Sequence, residues 1–120
     1  MSAPMMHFEL WSEDPAKTGE FYARTLGWSV NAMPDAPYWM VDTGGGQGKD
    51  GINGGIFKPQ GGASGWPGLL CCYAKVDSIA KALERVTANG GSVLVPWTPH
   101  GTGAFAIFKD PDGRAMGLWE

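Results

Sequence analysis

The two halves of this 120-residue chain carry the same local signals in the same order, 63 residues apart. A glycine that ends the first predicted helix recurs at the end of the second, and a glycine in the fourth predicted strand recurs in the last strand. The matching pairs are Asp14 and Asp77, Gly27 and Gly90, Ser29 and Ser92, Val30 and Val93, and Gly54 and Gly117. A duplication of this kind restricts the fold, because each half must build the same set of elements.

Apolar periodicity and turn residues predict one helix and four strands in each half. Asp14 caps the first helix, Pro15 begins it and Gly27 ends it, whereas Asp77 caps the second helix. The helices are expected to bury Phe21, Tyr22 and Leu26 in the first half, and Ile79, Leu83 and Val86 in the second. The predicted strands cover residues 6–11, 28–33, 38–43, 52–58, 69–76, 92–97, 104–109 and 114–119.

Glycine-rich and proline-rich stretches separate these elements. Residues 59–68 form a predicted linker between the halves. Residues 44–50 form a predicted glycine-rich loop, of which residues 44–48 are expected to be a mobile flap over the mouth of a cleft. Asp110-Pro-Asp-Gly113 predicts a tight turn before the last strand, since Pro111 presets φ and Gly113 accepts a positive φ.

These elements predict an α+β fold in a single domain, residues 1–120, with one repeat over about 5–58 and the other over about 69–120. Each repeat has the order βαβββ and is too small to bury its own sheet face. The two repeats are therefore expected to form one curved mixed sheet around a cleft.

The formal charge of −3 argues against binding to nucleic acid. No apolar run approaches the roughly 20 residues of a membrane span, and the N-terminal residues carry no secretory signal. Cys71 and Cys72 are adjacent and are expected to be reduced thiols, because a disulfide between neighbours is strained. We predict a cytoplasmic protein with no nucleic-acid or membrane partner.

Several strings of the chain resemble the vicinal oxygen chelate superfamily, which includes glyoxalase I, extradiol dioxygenases, fosfomycin-resistance enzymes and bleomycin-resistance binding proteins. The resemblance covers essentially the whole chain, and it is specific for the superfamily rather than for one reaction. The strings are His7-Phe-Glu-Leu-Trp-Ser-Glu-Asp-Pro15, Phe21-Tyr-Ala-Arg-Thr-Leu-Gly-Trp28, Asn53-Gly-Gly-Ile56, Gly90-Gly-Ser-Val-Leu-Val-Pro96 and Phe108-Lys-Asp-Pro-Asp-Gly113.

The resemblance implies that metal-dependent members hold a divalent ion with histidine or carboxylate side chains from the first and last strand of each repeat. In this chain, those positions fall at His7, Gly54 (or Gly55), Cys71 and Gly117. Because glycine has no side chain and a catalytic site usually keeps three protein ligands, we predict no cofactor. The alternative is a divalent metal at His7, with Glu9 as an added carboxylate.

Strand alternation predicts which side chains face the cleft. His7 and Glu9 face it from the first strand and are the candidate catalytic residues, as an acid–base pair. The fourth strand offers Gly54 and Ile56, and the last strand offers Gly117. The candidate ligand-binding residues are Trp11, Trp39, Cys71, Tyr73 and Trp119.

The resemblance and the tryptophan content favour a protein that binds a small aromatic or amphipathic molecule in a metal-free cleft, as a homodimer. The alternative is a lyase, isomerase or dioxygenase-type enzyme with a divergent site around His7 and Glu9. For both residues, a structural role remains open: a hydrogen-bonded histidine beneath the cleft floor, and a solvated or arginine-paired carboxylate at its rim.

Overall fold

The computed structural model describes residues 2–45, 50–62 and 68–120, and its elements follow the predicted order. This order confirms the α+β class and the βαβββ pattern of each half. The predicted loop at 44–50, with its flap at 44–48, and the predicted linker at 59–68 lie partly outside the described residues. The elements are β1 (Met5–Trp11), α1 (Pro15–Leu26), β2 (Ser29–Ala32), β3 (Tyr38–Asp42), β4 (Gly54–Phe57), β5 (Leu70–Lys75), α2 (Ile79–Ala88), β6 (Ser92–His100), β7 (Gly103–Lys109) and β8 (Ala115–Trp119).

Backbone contacts divide the chain into two compact units. The first unit is His7–Leu70, and the second consists of Met1–Met6 with Cys71–Glu120. The start of the chain belongs to the second unit, where the Lys75 N–H donates to the carbonyl oxygen of Pro4 at 2.9 Å. The boundary between the units falls next to the predicted linker.

The two units have the same strand order. In the first unit the order is β2-β3-β4-β1, with β1 parallel to β4 and the other neighbours antiparallel. In the second unit the order is β6-β7-β8-β5, with β5 parallel to β8 and the other neighbours antiparallel. The sequence duplication is therefore a duplication of sheet topology.

The start of α1 is as predicted and the start of α2 is not. Asp14 caps α1 by accepting a hydrogen bond from the Lys17 N–H at 3.2 Å, and Gly27 ends the helix with φ of 72°. Helix α2 is capped by Ser78, which accepts from the Lys81 N–H at 3.2 Å. The prediction of Asp77 as the cap is wrong by one residue, since a serine hydroxyl serves as well as a carboxylate.

Helix α1 packs on its sheet through a glycine rather than through its large apolar residues. A Cβ on Gly19 would lie 2.7 Å from Val30 and 3.6 Å from Ile56, so the helix backbone approaches the sheet closely. Phe21 and Leu26 are 58% and 55% exposed, and their predicted burial is wrong. In the second unit the prediction holds better, because Ile79 is fully buried in the core.

Strand β6 runs to His100, beyond its predicted end at Trp97. The register against β7 shifts between Val95 and Thr98, and Pro96 lies in that shift. Since β6 has only β7 as its neighbour within the unit, a proline there removes no hydrogen bond from the interior of the sheet. In the described part of the chain, neither helix is long and apolar enough to cross a membrane.

Candidate functional site

The sheet of the first unit has one face covered by α1, and no helix among the described residues of that unit covers the other face. Gly19 of α1 lies against Val30 and Ile56, which fixes the helix side. Residues alternate between faces, so the register pairs place the opposite set on the helix-free face. This helix-free face carries His7, Glu9, Trp11, Ser29, Asn31, Tyr38, Met40, Asp42, Gly55 and Phe57.

His7 and Tyr38 form a hydrogen-bonded pair on this face. The distance from His7 Nε2 to Tyr38 Oη is 2.7 Å, and both residues are half-buried. The Tyr38 ring also lies 6.1 Å, centroid to centroid, from Phe57. A polar pair beside aromatic surface is the composition expected of a small-molecule site.

Burial lowers the pKa of His7 from its ordinary value of 6.5. Removing the imidazole from water disfavours its charged form, so His7 is neutral at pH 7. A neutral imidazole has one N–H donor and one acceptor nitrogen. His7 can therefore accept a hydrogen bond from the Tyr38 hydroxyl or donate one to it, depending on the tautomer.

Glu9 is held by Trp11, two residues further along β1 on the same face. The Trp11 indole N–H donates to Glu9 Oε1 at 2.7 Å, and the two residues are only 2% and 7% exposed respectively. A hydrogen bond to a carboxylate in such a buried position is a strong one. Trp11 therefore has a structural partner, and its predicted contact with a ligand stays a prediction.

His7 and Glu9 each contact a neighbour on the helix-free face, and their role as an acid–base pair stays a prediction. The imidazole is bonded to Tyr38 and the carboxylate to Trp11. Tyr38 was not among the predicted site residues. The direction of its side chain could have been inferred from Val41, the apolar residue that marks the buried face of β3. Because side chains alternate along a strand, Tyr38, three residues before Val41, points to the opposite face.

Trp39 lies on the helix side of the sheet, in register with Ile56. The prediction that it lines the cleft is therefore wrong, since the adjacent Tyr38 takes that face. Gly54 also lies on the helix side, where a Cβ would overlap the Phe8 ring. The expectation that Gly54 and Ile56 face the cleft is wrong, and Gly55, in register with Glu9, is the residue on that face.

In the second unit, Tyr73 lies in register with Gly117, and a Cβ on Gly117 would overlap its ring. Tyr73 and Cys71 are both buried. Trp119 is 41% exposed, and the Lys75 ammonium lies 5.0 Å from the centre of its ring. The roles of Cys71, Tyr73 and Trp119 in ligand binding stay predictions.

The described residues do not fit the four-ligand metal site that the resemblance implies. Gly55 and Gly117 have no side chain, and tyrosine rings occupy the space that a side chain would need. Within residues 2–45, 50–62 and 68–120, no three His, Cys, Asp or Glu side chains are grouped so as to hold a metal ion. The absence of a cofactor stays a prediction.

A pocket of about 600 Å³ lies beside the carboxyl end of β1 and the start of α1. Trp11 and Tyr22 line it together with Leu69 and Glu13. Its volume lies within the range of small-molecule pockets, roughly 300–1,000 Å³. Trp11 thus lines this pocket and also donates a hydrogen bond to Glu9 on the helix-free face.

The family model of the Glyoxalase/Bleomycin resistance protein/Dioxygenase superfamily matches residues 5–116. This chain belongs to that superfamily. It is 29% identical over 117 residues to CFP32 of Mycobacterium tuberculosis, a protein named for a glyoxylase, and 28% identical over 123 residues to the anthracycline biosynthesis protein DnrV of Streptomyces peucetius. Each match covers 93% of this chain but only 43% and 45% of the relative, so the chain spans less than half of either protein.

Solved structures share the fold of this superfamily member. A glyoxalase/bleomycin resistance protein/dioxygenase superfamily member from Vibrio splendidus 12B01 has a TM-score of 0.64 at 16% identity, with 98% of each chain covered. A variant of methylmalonyl-CoA epimerase from Streptomyces coelicolor has a TM-score of 0.66 at 14% identity, with 98% of this chain and 97% of the other covered. At these identities the likeness is one of fold.

Proposed function

We propose that this superfamily member binds a small, neutral, aromatic or amphipathic molecule on the helix-free face of the first unit, without a metal ion. The observation that carries the proposal is the hydrogen-bonded pair of His7 and Tyr38 beside the ring of Phe57. Met40, 45% exposed on the same face, adds an adaptable apolar contact. Together these side chains offer apolar surface from Phe57 and Met40 beside a hydrogen-bonding group, the pair of His7 and Tyr38.

The charges of this face favour a neutral ligand over an anion. The strand residues described there include the carboxylates of Glu9 and Asp42 but no lysine or arginine. An anionic ligand would gain no cationic partner from these described strand residues, whereas a neutral ligand needs only hydrogen bonds and apolar contact. The name of DnrV links that relative to anthracyclines, which are aromatic molecules, and this supports the proposed ligand class.

The second candidate is an enzyme, a lyase, isomerase or dioxygenase-type protein whose site includes His7 and Glu9. The observation that favours it is the half-buried imidazole of His7, whose pKa is lowered by burial as a general base requires. The name of CFP32 supports a glyoxylase-type activity in the same way. Turnover of a 2-oxoaldehyde–thiol adduct that is lost in His7→Ala would favour this candidate.

The binding proposal is tested with 1-naphthol and an anthracycline as probes, in buffer with a chelator and without one. We expect both probes to quench tryptophan fluorescence equally in the two buffers. Phe57→Ala should weaken the quenching, because it removes aromatic surface from the helix-free face. Phe21→Ala, which removes an exposed ring from α1, is the matched control and should bind as the wild type does.

Failure of both probes to bind would overturn the binding proposal, and binding that the chelator abolishes would overturn its metal-free form.

We also propose that the chain is a cytoplasmic homodimer. Light scattering across a hundredfold range of concentration tests the dimer, and fractionation of the producing cells tests the location.

A further inference from the structure

The Tyr38 phenol lies directly over the Cα of Gly55. A Cβ built on Gly55 would overlap the Tyr38 hydroxyl and the adjoining ring carbons. The same hydroxyl is 2.7 Å from His7 Nε2. The hydroxyl of Tyr38 therefore stands beside His7 at the point where a side chain on residue 55 would begin.

The backbone does not explain why residue 55 is a glycine. Gly55 is absent from the glycines with positive φ, so its conformation is open to any residue. Glycine within a strand lowers stability by about 0.5–1 kcal/mol relative to alanine. The contact with Tyr38 accounts for the glycine, because only a residue without Cβ leaves room for the phenol.

The second unit also has a tyrosine over a strand glycine, although the tyrosine comes from a different strand. Tyr73 lies over Gly117, which also lacks a positive φ. Tyr38 covers Gly55 from β3, the antiparallel neighbour of β4, whereas Tyr73 covers Gly117 from β5, the parallel neighbour of β8. In both units a phenol ring fills the space above the glycine.

We infer that Tyr38 is the specificity-determining residue of the proposed site and selects a neutral aromatic ligand that carries a hydroxyl or carbonyl group. The inference rests on the proposed function. The phenol hydroxyl can both donate and accept a hydrogen bond, so Tyr38 beside His7 suits a ligand oxygen. A phenol hydroxyl supplies no positive charge that would favour a carboxylate or a phosphate.

The contact between Tyr38 and Gly55 is tested without any ligand. Gly55→Ala should lower the Tm by about 5 °C, because the added methyl group overpacks the phenol. In a Tyr38→Ala background, the same change should leave the Tm nearly unchanged or raise it. An equal fall in both backgrounds would overturn the proposed contact.

The specificity is tested with three probes of matched shape: naphthalene, 1-naphthol and 1-naphthoate. We expect the wild type to prefer 1-naphthol, and Tyr38→Phe to lose about tenfold in affinity for 1-naphthol while naphthalene binding is unchanged. Phe21→Ala, which removes an exposed ring on α1, is the control and should retain the preference. Tyr38→Phe keeps the ring over Gly55 and loses only the hydrogen bond to His7, so its Tm should fall by no more than about 5 °C.

Two results would overturn the inference while leaving the proposed function intact. One is a Tyr38→Phe variant that still prefers 1-naphthol, and the other is a variant that loses naphthalene and 1-naphthol equally, which would indicate packing alone. If the wild type binds none of the three probes and no anthracycline, the proposed function fails and the inference fails with it.

Discussion

The burial of His7 links the stability of the protein to pH. Because burial lowers the pKa of His7 below 6.5, the unfolded chain binds a proton more readily than the folded chain as the pH falls through 6.5. The free energy of unfolding should therefore decrease between pH 7.5 and 5.5, and His7→Gln should reduce that slope. Urea unfolding at three pH values measures it, with the exposed His100→Gln as control. A slope that His7→Gln leaves unchanged would contradict the assignment.

The pairing of Glu9 with Trp11 predicts that the indole matters for stability. Trp11→Phe retains most of the apolar volume but removes the N–H donor from a carboxylate that is only 7% exposed. The expected loss in the free energy of unfolding is about 2 kcal/mol, the order of cost for removing a hydrogen bond to a buried carboxyl group. Trp119→Phe, at an exposed position, is the control and should cost well under half as much. Similar losses in the two variants would show that Glu9 does not depend on the indole.

The first turn of α2 is hydrogen-bonded to a residue that is distant in the sequence. Glu120 Oε1 accepts a hydrogen bond from the Ile79 N–H at 2.6 Å, and Glu120 Oε2 accepts one from the Trp97 indole at 3.2 Å. Both hydrogen bonds lower the pKa of Glu120, and the bond from Ile79 makes the larger contribution. The stabilisation is thus present above the unfolded pKa of about 4.5 and is lost as the pH falls through the lower folded pKa. Glu120→Gln should lower the Tm at pH 7 more than the exposed Glu84→Gln does, and calorimetry measures both values. Equal shifts in the two variants would show that the contact of Glu120 with α2 is unimportant.

Local signals predicted the elements well, and long-range register limited the prediction of the site. Asp14, Pro15 and Gly27 define α1 from nearest neighbours alone, so its bounds were predicted correctly. The repeat offset is not constant, since the helix caps Asp14 and Ser78 are 64 positions apart and the equivalent strand glycines 55 and 117 are 62 apart. A fixed offset of 63 therefore placed Gly54 on the wrong face. The contact of Tyr38 with Gly55 depends on the register between β3 and β4, which no local pattern fixes.

At the scale of the whole molecule, both units have the sheet topology of the superfamily, and the described residues lack its expected set of metal ligands. A metal that binds only the folded chain raises the Tm in proportion to the logarithm of its concentration. We therefore expect zinc, manganese or nickel at 1 mM, and a chelator at about the same concentration, to leave the Tm within about 1 °C of its value in plain buffer. A rise of several degrees with one metal that is lost in His7→Ala would instead establish the alternative, a metal at His7. A rise that survives His7→Ala would place the ion elsewhere, so the variant separates a site on the helix-free face from adventitious binding.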